Sequence, residues 1–211
     1  MGKEALIAKI IDLEWNMFHE VSNIGGKASC QEDPVTFRIM RYSQAVSWAE
    51  DVLESYLTDL SEAQKNKRNL LTEKYARMMK STSPLVYYNR IEHLLPALEP
   101  ETLHLIDSIV KIVLEWEEEL SAKYPNLVKR GRPIHSTEDS QFITSVETYL
   151  RGELATYSLK TLKLYYKNVL KQKSENINGS EITLNSMVKQ YGYSSLTEAN
   201  RRSPEESGDG P

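Results

Sequence analysis

A single cysteine, Cys30, stands among the 211 residues. No intrachain disulfide framework can therefore form, and a reducing compartment suits the chain. No stretch approaches the roughly 18 uninterrupted apolar residues of a membrane span. Positive charge is not in excess: 26 Lys and Arg against 30 Asp and Glu leave a formal net charge of −4. That balance speaks against a general nucleic-acid binder and against a basic membrane-surface protein. The opening MGKEALIAKIIDLEW carries acidic residues through its apolar part, unlike a secretory signal peptide. The expectation is a cytoplasmic protein with no nucleic-acid and no membrane partner. Runs of strictly alternating residues, the mark of a half-buried strand, are also missing. Phe is scarce at 3, whereas Tyr numbers 12, so the interior has to accommodate hydroxyls that need partners. At 40% hydrophobic and 27% charged residues, the chain is nevertheless of ordinary globular composition and can bury a sizeable core.

What is present is helical periodicity, and the fold class it implies is all-α. The expected organisation is one domain of five to seven helices over residues 1–175, a short helical extension over 176–200, and a disordered tail over 201–211 that lacks apolar residues. The first helix is expected over residues 3–22, ending before Ile24-Gly25-Gly26. Asp33 as N-cap and Pro34 at the first helical position open a second, running to Leu60. Ser61 with Gln64 reads as a capping box for a third, which stops before Ser83-Pro84. A short helix follows to Leu95, and another runs from Pro100 to Lys123. Ser136 with Asp139 reads as the start of one long helix to Lys173, with Gly152 as a bend or close-packing point. Two short helices split at Gly192 complete the pattern.

Carboxylates interrupt the apolar seams of these helices. Ile7, Ile11, Phe18 and Val21 leave Glu14 as the position that completes their stripe. The same spacing places Glu117 with Val110, Val113 and Leu120, Glu147 with Ile143 and Leu150, and Glu153 between Tyr149 and Tyr157. Glu117 is the weakest of the four, because it belongs to the acidic run 117–119. A desolvated carboxylate has to be paired or protonated, so a shared polar pocket is expected. Arg41 and Gln44, between Phe37 and Trp48, are candidate compensators, and Arg151 lies four residues after Glu147. The alternative is that each glutamate is a solvated or surface-paired residue at a seam edge.

Other motifs are weaker. The loop SNIGGKASCQEDP offers Gly25-Gly26 and Lys27 for an anion, and Cys30 just before a helix N-terminus; the alternative is a packed loop with an inert thiol. Neither a P-loop nor a dinucleotide fingerprint is present. Only Glu101-Thr102-Leu103-His104 matches the Glu-x-x-His motif that di-metal bundles use in pairs, and no metal ligand set is assigned. Lys129-Arg130-Gly131-Arg132-Pro133 resembles one AT-hook core, but in an acidic chain Arg132 is better read as a residue aimed at an anion or a helix end.

Residues 13–44 (LEWNMFHEVSNIGGKASCQEDPVTFRIMRYSQ) and 144–158 (TSVETYLRGELATYS) resemble an uncharacterised bacterial domain-of-unknown-function family. Its members occur alone or beside a nucleotidyltransferase-like domain. The resemblance implies a small bacterial cytosolic protein and carries over no catalytic residues and no cofactor. From the residues themselves, the leading expectation is an enzyme, or a binding protein derived from one, for a small polar anionic metabolite. Glu14, Glu147, Glu153 and Cys30 are the catalytic candidates, with burial raising carboxylate pKa values into a useful range. Arg41, Arg151, Arg132 and Lys27 are candidates to hold the anion, and Gln44 and Tyr149 to orient it. The cofactor is unknown, and a homodimer or a nucleotidyltransferase-like protein is the candidate partner. The alternative is a non-catalytic helical interaction or regulatory module.

Overall fold

Leu6, Ile7, Ile10, Ile11, Glu14, Met17 and Phe18 form one buried stripe on the first helix, with the three- and four-residue spacing of an α-helix. In the computed structural model, which describes residues 1–22 and 29–202 except for the side chains of 29 and 30, every regular element among the described residues is helical. The described residues form eleven α-helices: α1 (Lys3–His19), α2 (Pro34–Ala45), α3 (Glu50–Lys65), α4 (Leu70–Thr82), α5 (Pro84–Val86), α6 (Pro100–Lys123), α7 (Pro125–Val128), α8 (Val146–Leu154), α9 (Leu159–Ser174), α10 (Gly179–Gln190) and α11 (Leu196–Arg201). The expected all-α class is therefore observed. The glycine loop with Lys27 and the tail from 203 onward lie outside the described residues.

The stripe of α1 packs on α2, α3 and α4, and α9 packs on α3 and α6. α8 bridges α4 and α6, while α10 lies across α2 and α6. Between them runs one continuous apolar core in which Trp48, Tyr56, Tyr157 and Tyr165 cluster with ring centroids 4.7–6.0 Å apart. A smaller cluster of Val188, Leu196 and Ala199 packs on Tyr124 and Leu127. Among the described residues no helix is long and apolar enough to cross a membrane.

Two helices expected to be continuous are broken. Asp33 does cap α2 by accepting from the Thr36 N–H, but the helix stops at Ala45 and α3 begins at Glu50. The residues between them seat Trp48 in the core, and α9 satisfies the freed backbone groups. Asn168 Oδ1 accepts from the Ala49 N–H at 3.1 Å, and Gln172 Nε2 donates to the Ser47 carbonyl at 2.8 Å. Ser61 consequently lies inside α3, its hydroxyl turned back to the Leu57 carbonyl. α4 starts instead at Asn69, which caps the Thr72 N–H and donates to the Met17 carbonyl.

The long helix from Ser136 also divides. Asp139 is not its second cap residue but the anchor of a loop, accepting from the Ser145 N–H and from the Ser81 and Thr148 hydroxyls. Ser145 caps α8 and Ser158 caps α9. Gly192, with φ +86°, does separate α10 from α11. A Cβ on Gly152 would lie 2.9 Å from Met78 Cγ and 3.0 Å from the Lys74 carbonyl oxygen. Glycine here allows α8 to approach α4 closely, as expected of a close-packing point. Gly152→Ala is expected to lower stability by about 1–3 kcal/mol, the usual range for overpacking. A denaturant midpoint equal to that of the parent would show that the two helices separate freely.

Candidate functional site

The α1 stripe carries Glu14 into the interior, where α2 presents Arg41 and Gln44, three residues apart on one face. The Arg41 guanidinium grips Glu14 as a fork, with Nε donating to Oε2 at 2.7 Å and Nη2 to Oε1 at 2.5 Å. Its Nη1 donates to Gln44 Oε1 at 2.6 Å and to Glu153 Oε2 at 3.2 Å. Gln44 Nε2 donates to Glu153 Oε1 at 2.7 Å, and Lys74 Nζ from α4 donates to Glu153 Oε2 at 2.5 Å. Tyr56 and Tyr157 complete the network, donating their hydroxyls to Glu14 and Glu153 at 2.7 and 2.8 Å. Relative exposures of 0% for Glu14, 7% for Arg41, 2% for Lys74 and 2% for Glu153 place all four charges in the core. Two carboxylates and two cations sum to zero.

Electrostatics follow from this closure. Burial alone would raise the Glu153 pKa, but Arg41 and Lys74 overcome it and hold the carboxyl well below the usual range. Burial would likewise lower Arg41, and Glu14 and Glu153 reverse that strongly. Burial and then the adjacent carboxylate push Tyr56 and Tyr157 well up, so both remain neutral donors.

One side of the network opens onto a cavity of about 290 Å³ between α2, α6, α8, α9 and α10. Arg41 and Gln44 form part of its wall, with Tyr149, Arg132, Glu117 and Ser180 around them. Val113, Trp116, Met40 and Met187 make the rest largely apolar. The Tyr149 ring lies 3.5 Å from Lys74 Nζ and 4.8 Å from the Arg132 guanidinium carbon. Arg132 Nη1 also donates to the Thr144 carbonyl at 3.0 Å, and Arg130 is tied to the Arg202 carbonyl. Among the described residues Glu117 forms no ion pair: burial raises its pKa, and a hydrogen bond from Ser180 opposes this only in part.

Of the residues singled out in the sequence, the structure thus brings together Glu14, Arg41, Gln44 and Glu153, with Tyr149 and Arg132 beside them. Glu147 and Arg151 stand apart. Glu147 is partly buried in the first turn of α8, where its Oε2 accepts from the Ser136 N–H at 2.9 Å and its Oε1 from Arg151 at 3.0 Å. The expected rise of its pKa is reversed: burial would raise it, but the Ser136 and Arg151 hydrogen bonds leave it lowered. Arg151 also pairs with Asp107 at 2.6 Å. Cys30 lies in a short 3₁₀ turn, and its side chain, like all of Lys27, is outside the described residues. Among the described residues no group of three or more His, Cys, Asp or Glu side chains is placed to hold a metal ion.

Lys74 was not anticipated. Its signal was available, since Leu71, Lys74 and Met78 share one stripe of α4 by the same spacing that exposed Glu14. A lysine amid other charges in LTEKYARMMK reads too easily as a solvated face.

Fold and site together define an all-α protein built around a neutral, fully hydrogen-bonded charge network with a cavity at its edge. Over residues 4–201 the chain matches the family described as protein of unknown function DUF4125, and it belongs to that family. No curated protein and no solved structure matches it.

Proposed function

We propose that the chain is an enzyme, or a binding protein derived from one, that holds a small anionic metabolite in the cavity beside the charge network. The observation that carries this reading is Glu117, a carboxyl without an ion pair among the described residues, whose pKa is raised by burial in a cavity wall that also carries Arg132 and Gln44. Arg132 would attract the anion, with Gln44 and Tyr149 orienting it. Glu117 takes the acid/base part in place of Glu14, Glu147 and Glu153, because those three are saturated by donors and a proton carrier has to be free to exchange. The network is the rigid floor that fixes Gln44. The single cysteine and the family resemblance support a bacterial, cytoplasmic setting, alone or beside a nucleotidyltransferase-like domain.

A second reading is a non-catalytic interaction module. It is favoured by the complete pairing of Glu14 and Glu153, which needs no ligand. Native mass spectrometry of the purified protein separates the two. A bound small molecule that is lost in Glu117→Gln and Arg132→Gln supports the first, and an empty protein under all conditions supports the second.

Glu117→Gln has a further expected outcome. A raised folded-state pKa means that folding takes up a proton between the ordinary and the raised value, so this group's contribution falls as pH rises through that window. The variant lacks that slope and is expected to be more stable than the parent at pH 7, with the difference vanishing below pH 4. Denaturant midpoints at the two pH values measure it, and a destabilised variant at pH 7 would mean that the carboxylate is paired.

A further inference from the structure

α8 separates the first cavity from a second, of about 400 Å³, bounded by α4, the π-helical turn Tyr87–Ile91, α6 and α8. Its wall carries three cations, Arg77, Lys80 and Arg151, and no carboxylate, in a chain whose net charge is −4. Arg151 is already neutralised by Asp107 and Glu147. Lys80 has no ion pair among the described residues, and Arg77 has only the Pro96 carbonyl, to which Nη2 donates at 2.7 Å. Arg77 Nε is buried with no acceptor at all, and burial lowers the pKa of this guanidinium. The Glu73 carboxylate acts on Arg77 but is itself paired with Arg68, and a partly buried cation without an ion pair of its own gains from an anion that completes it.

The remaining lining divides by chemistry. Ser81 and Thr148 add polar lining, their hydroxyls already donating to Asp139, whereas Tyr88, Leu98 and Leu103 supply an apolar part. Tyr88 and Leu103 are 54% and 46% exposed, too exposed to serve the core. The π-helical turn that presents Tyr87 and Tyr88 edge to face is a rare conformation that recurs at functional sites. Two positive charges that form no ion pair among the described residues match a dianionic head, and the apolar part matches a ring or short hydrocarbon body.

We propose that this second cavity binds a phosphate monoester with an aromatic or apolar body, its phosphate held by Arg77 and Lys80 and its body lying on Tyr88 and Leu103. The site is separate from the cavity that contains Glu117 and stands or falls independently of it.

Calorimetric titration of the full chain with phenyl phosphate tests the proposal, with inorganic phosphate as the second probe. Saturable binding at one site is expected, weakened about tenfold or more in Arg77→Gln and in Lys80→Gln, as loss of a charge-assisted hydrogen bond requires. Arg132→Gln, in the first cavity, should leave it unchanged, and inorganic phosphate should bind more weakly. Lys80 is exposed, so its variant keeps the test decisive if Arg77→Gln fails to fold. Absence of saturation, equal binding in Lys80→Gln, loss of binding in Arg132→Gln, or equal affinity for the two probes would each overturn the assignment.

Discussion

Arg41→Met is expected to lower stability at pH 7 by about 3–5 kcal/mol, the cost of leaving a buried charge without its partner. Against a whole-domain stability of about 5–15 kcal/mol, such a loss leaves a large part of the molecules near unfolding at physiological temperature. The reason is geometric. Glu14 is completely buried and, among the described residues, pairs with Arg41 alone, which meets both carboxylate oxygens; without it, of the described residues only the Tyr56 hydroxyl donates to the charge. Adding Glu14→Gln to Arg41→Met should recover much of the loss, because the surviving Lys74–Glu153 pair is neutral by itself. Urea unfolding of the two single variants, the double variant and the parent forms a mutant cycle. Additive losses would show that Arg41 and Glu14 contribute separately, and the fork would then not be the structural unit.

Lys74→Met is expected to be nearly as damaging, again by about 3–5 kcal/mol at pH 7, since Glu153 then shares Arg41 with Glu14. Its dependence on pH identifies the cause. In the parent the folded-state pKa of Glu153 lies far below its unfolded value. The stability it contributes is therefore present above the unfolded carboxyl range, near 4.5, and is lost as pH falls further below it. Removing Lys74 takes away one of the charges that lower that pKa, so the variant loses less stability on acidification. The gap between variant and parent should be widest at pH 7 and narrow progressively below pH 4.5. A gap that stays constant from pH 7 to pH 3 would mean that the damage comes from packing against Tyr149, over whose ring the ammonium sits at 3.5 Å, and not from charge.

The sequence by itself determined the class of the fold and several of its boundaries. Periodicity and the absence of alternating runs fixed an all-helical chain; Asp33-Pro34, Pro100 and Gly192 act through local backbone chemistry, and each punctuates the structure as such residues must. Glu14 and Glu153 were legible as buried because a polar residue on an apolar stripe has nowhere else to go once the helix packs. Arg41 and Gln44 were legible for the same reason.

Only the tertiary structure decided where α2 gives way to α3 and α8 to α9. Nothing local forbids helix through Val46–Ala49; the break holds because Asn168 and Gln172, more than a hundred residues away, receive the exposed backbone groups while Trp48 fills the core. It also decided which seam glutamates meet. Glu147 and Glu153 lie six residues apart on α8, yet one turns to Ser136 and Arg151 and the other to Arg41 and Lys74. Lys74 joins them because Gly152 lets α4 approach α8 closely. Helical spacing says which residues share a face. Which faces meet, and therefore which charges neutralise one another, is set by packing between elements distant in the chain.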